Sequence, residues 1–108
     1  MKNSIDLKNI MMQAWMFVRT TGMTMSEALK LAWRNFKLKV AMKHRIVKFW
    51  FVKIDGTVRQ AYGTLIDRML PPTKGTGRNE NPTIQTYYDT EKQAYRCFKV
   101  ANLIRYEQ

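Results

Sequence analysis

The chain has one cysteine, one histidine and only eight acidic residues, and no proline stands before Pro71. A single thiol, Cys97, excludes an intramolecular disulfide and a cysteine-based zinc site, and it fits a reducing compartment. A cytoplasmic protein is therefore expected. His44 has no cysteine or carboxylate neighbour at ligand spacing, and it lacks the nucleophile and orienting acid that a catalytic base requires. Of the few acids, Glu27 is taken by a helix cap and Asp55 and Asp89 by turns, so no carboxylate pair is left for acid–base work. These absences predict a protein that is not an enzyme and holds no metal and no cofactor. Long apolar runs are missing too. The richest, Ile10 to Val18, contains Gln13, is too short to span a bilayer and is not followed by a small-residue cleavage site, so no membrane association is expected. Internal repeats, low-complexity stretches and heptad runs are also lacking.

What the sequence does have is positive charge. Nineteen Lys and Arg give a net charge of +11 and a pI near 10.1, in a chain whose 45% apolar and 12% aromatic content is ordinary for a folded domain. At 108 residues there is material for one core. The halves on either side of Lys43 are both basic, so the charge belongs to the folded body and not to a detachable tail. Such an excess generates a potential that attracts polyanions. Nucleic acid, as RNA or single-stranded DNA, is the leading partner.

The first third reads as two helices. One runs from about Ile5 to Thr21 and closes at Gly22, a residue suited to the left-handed conformation that ends a helix. Thr24-Met25-Ser26-Glu27 has capping-box spacing, so the second helix starts at about Met25. On it Leu29, Ala32, Trp33, Phe36 and Val40 fall on one side and Leu31, Leu38 and Met42 on the other, predicting a helix sandwiched between two apolar surfaces. The first helix is apolar nearly all round, through packing in the core or through a homodimer seam. From Arg45 the pattern changes to strands. Ile46 to Ile54 is β-branched and aromatic, Asp55-Gly56 is a strong hairpin signal, and Thr57 to Leu65 returns. The turn is either a two-residue loop or a three-residue loop with a bulge, and Val47, Phe49 and Phe51 are expected inside with Lys48, Trp50 and Lys53 outside. Asp67 to Pro82 is a Pro/Gly-rich loop. Thr83 to Asp89 and Ala94 to Val100 form a second hairpin, and Leu103 to Tyr106 offers a short fifth strand. The fold class is α+β: two N-terminal helices followed by four or five short strands that close into a small barrel. Residues 1–23 read as a helical extension and 24–108 as helix plus barrel, within one compact domain overall.

Three groups of residues suit nucleic acid. Lys30, Arg34 and Lys37 line up as a basic ridge on the second helix. Lys74-Gly75-Thr76-Gly77-Arg78 lacks Walker spacing, but its glycines let Lys74 and Arg78 approach a phosphate backbone closely. Lys48, Trp50 and Lys53, and Tyr87 and Tyr88 with Tyr95 and Arg96, interleave rings for base stacking with cations for phosphates.

The segments Ile84-Gln85-Thr86-Tyr87-Tyr88-Asp89, Tyr95-Arg96-Cys97-Phe98-Lys99 and Asn102-Leu103-Ile104 resemble the second half of the WYL-like, Sm-like SH3-barrel family. Phe49 to Thr57 and Tyr62-Gly63-Thr64-Leu65 add to the likeness. The chain is especially similar to the small stand-alone WYL-like proteins of Bacteroidetes bacteria and their phages, over about Ser26 to Tyr106. This resemblance implies a five-stranded SH3-like, Sm-like barrel with a preceding helix. It also implies that Arg96, in the family's Arg-x-Phe position with Phe98, contacts an anion. Thr83-Ile84-Gln85 stand where the family has Trp-Tyr-Leu. Two further functions compete with nucleic-acid binding: a phage- or mobile-element-encoded factor that inhibits or adapts a host protein, and a sensor or sponge for a nucleotide signal.

Overall fold

The computed structural model describes residues 4–66 and 83–107, with side chains from residue 7 onward. The elements run α1 (Ser4–Thr21), α2 (Met25–His44), β1 (Val47–Val52), β2 (Val58–Thr64), β3 (Ile84–Asp89), β4 (Ala94–Lys99), a short 3-10 helix (Val100–Asn102) and β5 (Leu103–Tyr106). The predicted loop from Asp67 to Pro82, with Lys74 and Arg78, lies outside the described residues. The chain resolves into two compact units, Met1–Lys37 and Leu38–Gln108, which divide within α2.

In the first unit, α1 ends as its sequence requires. Gly22 sits at φ 77 and its N–H donates to the Val18 carbonyl at 3.2 Å. The capping box of α2 is reciprocal: the Thr24 N–H donates to Glu27 Oε1 at 3.1 Å and the Glu27 N–H to Thr24 Oγ1 at 3.2 Å. These bonds, the backbone one foremost, hold the Glu27 carboxyl below its ordinary range. One stripe of α1, Ile10, Ala14 and Phe17, is buried, whereas Leu7, Met11, Met12 and Trp15 are exposed. On the α2 residues of this unit Ala28, Leu31, Ala32 and Asn35 are buried, and Leu29, Trp33 and Phe36 are half-buried. The Asn35 amide is satisfied by donating to the Leu31 carbonyl at 3.0 Å.

The second unit opens with the last turns of α2, where Leu38 and Met42 are buried and Val40 is exposed. Of the other stripe, Ala32 is buried, Leu29, Trp33 and Phe36 are half-buried, and Val40 alone is exposed, so both stripes of α2 are covered to differing degrees. The Leu31–Leu38–Met42 stripe is the more deeply buried of the two. The end of this helix is clasped by the end of β2. The Met42 carbonyl accepts from the Leu65 N–H at 2.8 Å and the Thr64 hydroxyl at 3.1 Å, satisfying a terminal acceptor that the helix itself leaves open.

The five strands form one antiparallel sheet in the order β4-β3-β2-β1-β5, with Val47 opposite Gly63 and Val52 opposite Val58 in the first hairpin. That register decides the turn. The Lys53 N–H donates to the Thr57 carbonyl, the Gly56 N–H to the Lys53 carbonyl, and Gly56 lies at φ 90, so Ile54-Asp55-Gly56 is a three-residue loop with a glycine bulge. Val47, Phe49 and Phe51 consequently face inward. The sheet is rolled into the expected small barrel. Phe98 on β4 lies 5.3 Å from Phe49 and 5.2 Å from Phe51, although two strands separate β4 from β1 in the sheet. Tyr87 meets Phe49 edge-on at 5.0 Å. Gly63 makes this closure possible, since a Cβ there would come within 2.5 Å of the Tyr87 ring and 3.0 Å of the Phe49 ring.

Candidate nucleic-acid interface and the barrel mouth

Successive strand residues point to opposite faces, so the barrel strands build two distinct chemical surfaces. On the outer face, Lys48 stands opposite Tyr62, and Trp50 opposite Gln60 on β2 and Arg105 on β5. The Arg105 guanidinium lies 4.1 Å from the centroid of the Trp50 ring and the Lys48 ammonium 5.3 Å from it, with Lys48 also 5.8 Å from the Tyr62 ring. Each contact is a cation against a π face. A half-buried tryptophan with two cations against its ring thus stands beside a half-buried tyrosine.

Lys53 does not belong to this platform. A period of two puts residue 53 on the side of 47, 49 and 51, and the bulged turn removes it from β1; its ammonium lies 3.8 Å from the Asp55 carboxylate. Arg105, which the sequence reading did not single out, takes the place expected for it. Tyr87 is not a stacking surface either. Its side chain is fully buried against Phe49 and Phe98, because inward Tyr87 and outward Tyr88 are neighbours on β3. The exposed ring of the second hairpin is Tyr95, which meets half-buried Tyr88 edge-on at 5.5 Å. Lys30, Arg34 and Lys37 lie on the α2 portion of the first unit, with Lys30 and Lys37 exposed and Arg34 half-buried.

The inner face ends in an ion cluster at the mouth of the barrel. Arg59 occupies an inward position opposite Phe51, and its Nη2 donates to Asp89 Oδ2 at 2.8 Å. Arg96, opposite Tyr87, brings its Nε to 4.0 Å from the same oxygen. Asp89 is fully buried, and its other oxygen accepts from the Glu91 and Lys92 N–H groups at 3.0 Å, so one carboxylate shapes the second turn and holds an arginine. Burial foremost, and then the Asp89 charge, push the Tyr87 hydroxyl above its ordinary range and keep it protonated. Beside this cluster a groove of about 690 Å³ runs between the tip of the first hairpin and β3–β4, with Phe51, Phe98 and Tyr95 among its walls. The resemblance pointed to Arg96, and the structure sets it on this groove. Arg59 escaped sequence reading because an arginine in a strand reads as outward. The one available signal was its parity with Ala61 and Gly63.

Among the described residues no group of three or more His, Cys, Asp or Glu could hold a metal ion, and no helix is long and apolar enough to cross a membrane. No curated protein and no solved structure matches the chain. A family model described as WYL_2, Sm-like SH3 beta-barrel fold, matches residues 35–104, well over half of the sequence. The strand order, the 3-10 turn before β5 and this match agree: the chain belongs to the WYL_2 family of Sm-like SH3 beta-barrels.

Proposed function

We propose that this protein is a non-enzymatic binding module for RNA or single-stranded DNA, acting in the cytoplasm. The observation that carries the reading is Trp50 with the Arg105 and Lys48 cations against its ring on the outer barrel face of a chain with net charge +11. Stacking on Trp50 and Tyr62 tolerates any base, and the cations neutralise the backbone that accompanies it. Lys30, Arg34 and Lys37, with Lys74 and Arg78, add to the positive field that brings a strand in.

Fluorescence anisotropy with labelled oligo-U and oligo-dT across a salt series tests this. With about five phosphates neutralised, log affinity falls against log salt with a slope of roughly −3 to −4. Trp50→Ala weakens single-strand binding by about 1–3 kcal/mol while stability changes little. No binding at about 50 mM salt, or a flat salt series, rejects the reading.

One observation favours a second reading, a protein-interaction factor. Leu7, Met11 and Trp15 recur every four residues along α1 and are exposed, with Met12 beside them. Light scattering of wild type and of a Leu7→Ser, Met11→Ser, Trp15→Ser variant checks whether a second copy covers this stripe: a dimer that the variant breaks supports a homodimer seam.

A further inference from the structure

Among the described residues the sheet has β4 at one edge and β5 at the other, and the two edges are unequally protected. β5 has four residues, and its pairing with β1 shifts register between Trp50 and Phe51. A short strand beside an irregular pairing is a poor template for another strand. β4 has six residues, keeps one register with β3 from Ala94 to Lys99 and contains no proline. At about 3.4 Å per residue it offers roughly 20 Å of regular edge. All of its residues except Phe98 are exposed.

Hydrogen-bond alternation says which groups line that edge. The Val100 N–H donates to the Thr83 carbonyl, so the hydrogen-bonded pairs that follow are Phe98 with Gln85, Arg96 with Tyr87 and Ala94 with Asp89. The Cys97 N–H and carbonyl and the Lys99 N–H therefore point away from β3. The groove runs between this stretch of β4 and the tip of the first hairpin. Exposed backbone groups in strand register, with room beside them, are what an extended segment needs to add as a sixth strand.

Charge decides which segment. Lys53 pairs with Asp55 and Arg59 with Asp89, which leaves Arg96 and Lys99 as the cations in excess along β4. Arg96 stands on the inward side of the strand, with its side chain 46% exposed, and alternation puts Lys99 on the outward side. A strand laid along this edge meets positive charge whichever way its side chains point. A second copy of a chain with net charge +11 is repelled there, and the β5 edge it would offer carries Arg105. Carboxylates are attracted by the same two cations. We infer that β4 takes up an acidic, extended segment of another protein by strand addition. Main-chain hydrogen bonds form at Cys97 and Lys99, and the carboxylates of the segment lie against Arg96 and Lys99. This edge is distinct from the Trp50 platform, which is built on β1, β2 and β5, and the inference does not rest on the nucleic-acid reading.

Fluorescence anisotropy on the full chain tests this with three labelled, end-blocked peptides: one alternating Glu and Val, its Lys–Val counterpart, and the Glu–Val peptide N-methylated throughout. The Glu–Val peptide binds and the Lys–Val peptide does not. N-methylation removes every backbone donor while keeping every charge, and it weakens binding roughly tenfold or more. Cys97→Pro removes the outward donor at an edge position, where proline is tolerated, so Tm changes little while affinity for the Glu–Val peptide falls to a similar extent. The methylated peptide asks the same question of the unaltered protein. Arg96→Gln combined with Lys99→Gln weakens binding and flattens its dependence on salt. Full-strength binding of the methylated peptide, equal binding of the Lys–Val peptide, no binding of the Glu–Val peptide, or its displacement by oligo-dT overturns the inference. The outer-face reading is judged separately, by its own oligonucleotide titration.

Discussion

The two hairpins each close with an aspartate, but the aspartates live in different media. Asp55 accepts from the Thr57 N–H at 3.0 Å and from its hydroxyl, and its side chain is 60% exposed. Asp89 serves two backbone N–H groups of its own turn in the same way, yet it is 0% exposed and also grips Arg59. The first turn is a local device that water could largely replace. The second is structural, since its carboxylate is, among the described residues, the counter-charge to an inward arginine. The same residue type in the same role therefore differs in consequence through burial alone.

Asp89→Ala is expected to show the largest effect on stability. It strands Arg59 without its partner and uncaps the turn, costing about 3–5 kcal/mol in chemical denaturation. A loss below about 1 kcal/mol would put the two aspartates on a par and break the comparison. Next comes Gly63→Ala, where the hairpins meet, as Gly63 pairs with Asp89 across β2 and β3. The added Cβ collides with the Tyr87 and Phe49 rings, and overpacking of this kind costs about 1–3 kcal/mol. Asp55→Ala should move Tm least. Its exposed hydrogen bonds exchange readily with water.

Acid sharpens the contrast further. Hydrogen bonds from Thr57, the side-chain one foremost, hold Asp55 below its ordinary 3.8, and those from Thr24 hold Glu27 below its ordinary 4.5. A depressed carboxyl contributes stability that is complete above its unfolded value and lost as pH falls through its folded one. Melting curves between about pH 6 and about pH 2 should therefore show wild type losing slightly more Tm on acidification than Asp55→Ala does.

Local chemistry was the readable part of this sequence. Gly22, the Thr24–Glu27 box and Asp55-Gly56 act over a few residues, so their meaning does not depend on the rest of the fold, and all three stand as read. The inward set Val47, Phe49 and Phe51 was also legible, because alternation in an aromatic strand has one apolar side. Long-range register was harder to read. Which of Tyr87 and Tyr88 turns inward depends on how β3 meets β2 over two residue pairs, and Lys53 changed sides by parity. Arg59 shows the deeper limit: a charge becomes an interior residue only when a distant carboxylate, Asp89, arrives to meet it.

The wall of the groove carries the chain's single cysteine, Cys97, exposed and next in sequence to Arg96. A maleimide dye or nitroxide therefore attaches at one known position with no engineered background. Its accessibility or mobility reports on the groove wall, a signal separate from the fluorescence of Trp15, Trp33 and Trp50.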